Sequence, residues 1–156
     1  SPTLVVEILM AAAKCPVFPS PSAYEMAKVL LVDDDPASRL TLQTVLRAGG
    51  YGVDTAASAA EAIAKMDAKE YSLILSDLHM ESFESGLRVV AHARGLDYRP
   101  ATAILSTWQP EQYEAAKQAG SMLIETENIP ELLGQVAGMI SDRATRRLSR
   151  SMRARN

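Results

Sequence analysis

Short apolar runs rich in valine, isoleucine and leucine recur along the chain at Lys28–Val32, Gly52–Ala56, 73–76, 102–105 and 122–124. Each is too short for a helix, and longer stretches with helical spacing separate them, so the pattern predicts five strands alternating with helices. The helical stretches carry start signals. Asp35-Pro36 places a capping carboxylate before a proline at the first helical position, Ser58 and Glu61 form a capping box, and Pro110-Glu111 opens another helix. Stop signals follow at Gly49-Gly50, Gly95 and Gly120. Strand-helix alternation of this kind closes right-handed crossovers into a parallel sheet covered on both faces, a doubly wound α/β fold of five strands. Ligands of such sheets bind at the carboxyl ends of the strands.

The chain has 156 residues, room for one domain and an arm or tail. Residues 1–25 read as an N-terminal extension: an apolar run over 4–13, then Pro16, Pro19 and Pro21, which break regular structure. No lysine or arginine precedes Lys14, which argues against a secretory signal, and the ten-residue run falls well short of the roughly 20 a membrane span needs. A domain over 26–140 and an arginine-rich tail over 141–156, read as the end of the last helix, complete the expected organisation. The single cysteine, Cys15, excludes an internal disulfide and a zinc scaffold, and a cytoplasmic location fits. Charge is uneven. Six arginines against Asp142 give the tail +5, which leaves −8 for the rest of a chain whose net charge is −3. The acidic body repels a nucleic-acid backbone, and only the tail could attract one.

Three predicted strand ends converge on an acidic pocket: Asp33, Asp34 and Asp35 after the first strand, Asp77 after the third, and Ser106 and Thr107 after the fourth. Asp35 is explained as a helix cap. Asp33 and Asp34 are not, and placing them beside Asp77 costs stability unless a cation neutralises them. Oxygen donors without histidine or cysteine favour a hard ion, Mg2+ or Mn2+.

Over residues 27–140 the sequence resembles the receiver domains of two-component response regulators, which share the flavodoxin-like fold. The resemblance rests on Val-Leu-Leu-Val-Asp33-Asp34-Asp35-Pro36, on Gly50-Tyr51-Gly52-Val53, and on Leu73-Ile74-Leu75-Ser76-Asp77-Leu78-His79-Met80 followed by Gly86-Leu87. Ser106 at the end of the fourth strand and Ala119-Gly120 before the fifth complete it. It implies that Asp77 accepts a phosphoryl group from a histidine kinase or phosphotransfer protein. It also implies that Asp34, Asp77 and the backbone carbonyl of His79 hold Mg2+, that Asp33 binds it through water, and that Ser106 contacts a phosphoryl oxygen. The surface made by the fourth helical segment, the fifth strand and the last helix is the family's face for partners and self-association, with Gln112, Tyr113 and Glu131 as members and a homodimer as one outcome.

The sequence departs from the family where a lysine normally stands seven residues after the glycine that precedes the fifth strand. Seven from Gly120 is Glu127, followed by Asn128, and the last lysine of the chain is Lys117. Asp33, Asp34 and Asp77 with a divalent cation leave one net negative charge, which a lysine cancels and an inward Glu127 doubles. Each unit-charge contact at about 4 Å is worth roughly 4 kcal/mol at an effective dielectric near 20, before solvent screening, so impaired phosphorylation is expected. Glu81 replaces a usual proline, Glu84 adds acid, Ile124 stands at the aromatic switch position, and Trp108 lies in a loop shorter than usual.

The expected function is a stand-alone atypical receiver in a phosphorelay, not an enzyme. It either accepts phosphate weakly at Asp77 or acts as a phosphorylation-independent interaction module for a separate effector protein. The alternative is an Mg2+-dependent phosphatase resembling the haloacid dehalogenases, with Asp33 as nucleophile, although that family needs a lysine and a later acidic pair. Nucleic-acid binding through the tail is a third reading. No glycine-rich phosphate loop follows the first strand.

Overall fold

The computed structural model describes residues 27–77, 83–106, 114, 117–118, 122–125 and 129–154. Within them the chain runs β1 (Lys28–Val32), α1 (Pro36–Ala48), β2 (Gly52–Ala56), α2 (Ala59–Ala68), β3 (Leu73–Asp77), α3 (Phe83–Arg94), β4 (Ala101–Ser106), β5 (Met122–Glu125) and α4 (Ile129–Ala154). All five strands pair in parallel, in the order β2-β1-β3-β4-β5.

Period-two alternation divides the core. Val29, Leu31, Leu73 and Leu75 point to one face and pack with Leu42 and Leu46 of α1 and Leu132, Val136 and Met139 of α4. Leu30, Val32 and Ile74 point to the other and pack with Ala62 and Met66 of α2 and Val89 and Ala93 of α3. Apolar side chains on both faces of the central strands are what a sheet covered twice requires.

Three strands run one residue past the expected apolar runs, Asp77 closing β3, Ser106 closing β4 and Glu125 closing β5, and β4 also begins one residue earlier, at Ala101. The ladder continues because pairing uses main-chain groups and needs no apolar side chain: Asp77 stands opposite Leu105, and Ser106 opposite Glu125. The expected caps of α1 and α2 form, while the expected start at Pro110-Glu111 and stop at Gly120 lie outside the described residues. Asp35 accepts from the Ser38 N–H at 3.2 Å, and Gly50, at φ 98°, adopts the left-handed conformation that closes α1. At α2, Ser58 Oγ accepts from the Glu61 N–H at 3.1 Å while Glu61 accepts from the Ala57 N–H at 3.0 Å. That Ala57 hydrogen bond holds the Glu61 carboxyl below its ordinary 4.5, against the opposing effect of burial and with help from Lys65. Ser58→Ala is expected to lower stability by about 1 kcal/mol in chemical denaturation. A group depressed in the folded state contributes above its unfolded pKa and loses that contribution as pH falls through the folded value. The stability gap between wild type and Glu61→Gln should therefore close on acidification below about pH 4.

Helix α4 runs unbroken for 26 residues, about 39 Å, and carries the arginine-rich segment up to Ala154. Packing extends past residue 140, since Arg143 is only 9% exposed.

Candidate phosphoacceptor and metal site

In this strand order β1 and β3 are neighbours while their connections depart to opposite faces, which opens a crevice at their carboxyl ends. Asp33 and Asp34 follow β1, and Asp77 ends β3. Each offers a carboxylate oxygen, and the three oxygens lie within 4.8 Å of one another. Asp33 is buried, Asp77 half-buried and Asp34 exposed, so the cluster is anchored at its base and open to solvent at its mouth.

Local contacts fix the anchor. The Asp33 N–H donates to the Ala56 carbonyl at 3.0 Å, extending the β1–β2 ladder by one residue, and Asp33 Oδ1 accepts from the Asp35 N–H at 3.0 Å. Arg39, one turn into α1, donates from Nη1 to the Asp33 carbonyl oxygen at 2.7 Å. Below Asp77, the fully buried Ser76 hydroxyl donates to the Gly86 carbonyl at 3.2 Å and ties the end of β3 to the first turn of α3. Sequence reasoning did not single out Arg39 or Ser76 for these tasks. Arg39 carries a signal in retrospect, because six residues after Asp33 it faces back from the first turn of α1 toward the strand end.

The structure thus brings Asp33, Asp34 and Asp77 together and seats the Ser106 backbone beside them, one residue past the partner of Asp77. Ile124 lies in β5 opposite Leu105. His79, Met80, Glu81, Thr107, Trp108, Gln112, Tyr113, Glu127 and Asn128 lie outside the described residues. Glu131 is exposed in the first turn of α4.

A parallel sheet of this order with three clustered carboxylates at its switch point defines a receiver-type signalling domain. Residues 29–124 match the family described as response regulator receiver domain, and the chain belongs to that family. It is 34% identical over 128 residues to the gliding motility regulatory protein of Myxococcus xanthus, covering 77% of this chain and 16% of that protein. It is 29% identical over 129 residues to the sensory/regulatory protein RpfC of Xanthomonas campestris, covering 78% of this chain and 17% of that protein. The chain therefore spans about a sixth of these two relatives' length. Among solved structures it is similar to the response regulator TrrA of Thermotoga maritima in complex with Mg(2+)-BeF, at 28% identity and TM-score 0.65 over 73% of this chain and 99% of that one. A receiver domain from Methanospirillum hungatei shares the fold at TM-score 0.70 and 23% identity, over 78% of this chain and 99% of that one. The fold and the role of a receiver domain in two-component signalling follow. No helix among the described residues is long and apolar enough to cross a membrane.

Proposed function

We propose that this chain is an atypical cytoplasmic receiver that takes a phosphoryl group at Asp77 weakly, or works as an interaction module whose binding does not wait for phosphorylation. The observation that carries the reading is the convergence of Asp33, Asp34 and Asp77 within 4.8 Å at the switch point. Their donor set, carboxylate oxygens alone in an open site, suits Mg2+ or Mn2+. Asp34, Asp77 and the His79 carbonyl would hold the ion directly and Asp33 through water. The TrrA structure, with Mg(2+)-BeF bound, supports the same use of the pocket here. When bound, the cation neutralises charge on the transferring group's equatorial oxygens.

The chain's own residues do the rest. An oxygen of Asp77 attacks phosphorus in line, an O–P bond forms as the donor histidine's N–P bond breaks, and the imidazole leaves with its electron pair. Ser106 would donate a hydrogen bond to a phosphoryl oxygen. Arg39 positions the site by holding the Asp33 carbonyl, and the Asp35 N–H steadies the Asp33 carboxylate. Glu127 at the lysine's place would leave the incoming charge without the lysine that receivers carry there. We read the domain as a relay for a histidine kinase or phosphotransfer protein and an effector, and not as an enzyme. The phosphatase reading gains no observation: Asp33, its required nucleophile, is 1% exposed with an oxygen engaged by Asp35.

Calorimetric titration of the intact chain with Mg2+ tests the metal assignment. A single site is expected, with affinity falling roughly tenfold or more in Asp34→Asn. Unchanged affinity in that variant would remove Asp34 from the ligand set.

A further inference from the structure

At the end of the sheet opposite the aspartates, the chain gathers positive charge from three segments. Arg94 lies in the last turn of α3, Arg99 in the turn entering β4, and Arg146 and Arg150 on successive turns of α4. All four line one cavity of about 480 Å³, where Asp142 is the one carboxylate among the described residues. Pro100, Ala101 and Met139 give it an apolar wall. A second hollow of about 460 Å³ shares Arg99 and Arg150 and adds Arg147, with Glu70 and Asp97 balancing charge there.

The turn that carries Arg99 is held by two further arginines. Arg143, almost wholly buried, donates from Nε to the Arg99 carbonyl at 3.1 Å and from Nη2 to the Tyr98 carbonyl at 2.8 Å, and Arg147 Nη1 reaches the same Tyr98 oxygen at 3.0 Å. Arg99 itself stands at φ 44°, a left-handed conformation that few residues other than glycine adopt. Two guanidinium groups thus secure the backbone from which a third projects, and Arg99 and Arg146 of this cavity lie close enough to Arg150 to act on its charge. Desolvation, then the charges of Arg99, Arg147, Arg146 and Arg153, push the Arg150 guanidinium below its ordinary value. Mutual repulsion of this kind is relieved by a bound anion, and guanidinium forks match phosphate oxygens two at a time.

We propose that this cavity binds a compact polyphosphate anion, with Arg94, Arg99, Arg146 and Arg150 on its phosphates. Its volume lies within the roughly 300–1,000 Å³ of small-molecule sites. Arginines that converge on a hollow from separate segments favour a small ligand over an extended nucleic-acid backbone, which a linear ridge would suit better. The apolar wall of Pro100, Ala101 and Met139 leaves room for an organic group attached to the phosphates.

The test is calorimetric titration of the full chain in EDTA, which silences the acidic pocket, with inorganic tripolyphosphate, adenosine triphosphate and a short DNA duplex as probes at one ionic strength. Saturable one-to-one binding of a triphosphate is expected, with the dissociation constant rising about tenfold or more in Arg94→Gln/Arg146→Gln. Arg88→Gln, exposed on α3 and outside the cavity, should change it less than about twofold. Should the double variant lose its circular dichroism spectrum, Arg150→Gln reads the same cavity from a single, half-exposed position. Tighter binding of the nucleotide marks an organic polyphosphate as the ligand, and equal binding marks an inorganic one. No saturable binding of either triphosphate, equal loss in Arg88→Gln, or tighter binding of the duplex overturns the proposal.

Discussion

Replacing Asp77 with asparagine is expected to reduce incorporation of phosphate from a small-molecule phosphodonor to background. The amide keeps the shape of the carboxylate but lacks the anionic oxygen that the proposed attack on phosphorus requires. Neither neighbour substitutes for it: Asp33 is 1% exposed and engaged by the Asp35 N–H, and Asp34 stands on the loop beyond β1 rather than at the end of β3. The same change removes one of three close carboxylates, so the rise in melting temperature expected for the wild-type chain with Mg2+ should shrink as well. Intact-mass spectrometry and a thermal melt with and without Mg2+ check both results. Undiminished labelling in Asp77→Asn would place the acceptor elsewhere.

The second large effect is a gain. Glu127→Lys exchanges an acid for the cation that receivers carry at this place, and the labelling rate should rise at least tenfold. A tenfold change needs only about 1.4 kcal/mol of transition-state stabilisation, a modest part of the roughly 4 kcal/mol that one close contact supplies at an effective dielectric near 20. Glu127→Gln should fall between the two, since it removes the repulsion without adding attraction. Equal rates in all three proteins would show that Glu127 has no bearing on the pocket, and attention would pass to Glu81 and Glu84.

Much of this architecture is legible in the sequence because strand and helix leave different periods. Lys28–Val32 and Gly52–Ala56 are readable to the residue, and the Asp35, Ser58 and Gly50 caps mark helix ends through local chemistry. The clustering of Asp33, Asp34 and Asp77 is legible too, since neighbouring parallel strands deliver their carboxyl ends to one edge. The strand ends beyond the apolar runs, Asp77, Ser106 and Glu125, are polar residues that main-chain pairing retains in the sheet, where apolar pattern gives no signal. Arg143 shows the deeper limit. Charge counting places it in the arginine-rich tail, whereas its guanidinium is buried on carbonyls of Tyr98 and Arg99 more than forty residues away in the chain. Only the packing of α4 across the sheet makes those partners available. Arg39 is similar on a smaller scale, since its bond to the Asp33 carbonyl depends on how α1 turns back on β1.

The most direct test is a time course of the wild-type chain with a small-molecule phosphodonor, followed by intact mass and peptide mapping, with Mg2+ and with EDTA. The account predicts slow incorporation of a single phosphoryl group, confined to Asp77 and dependent on Mg2+, and accelerated in Glu127→Lys run alongside. Rapid stoichiometric labelling of the wild-type chain, or labelling that persists in EDTA, would contradict it.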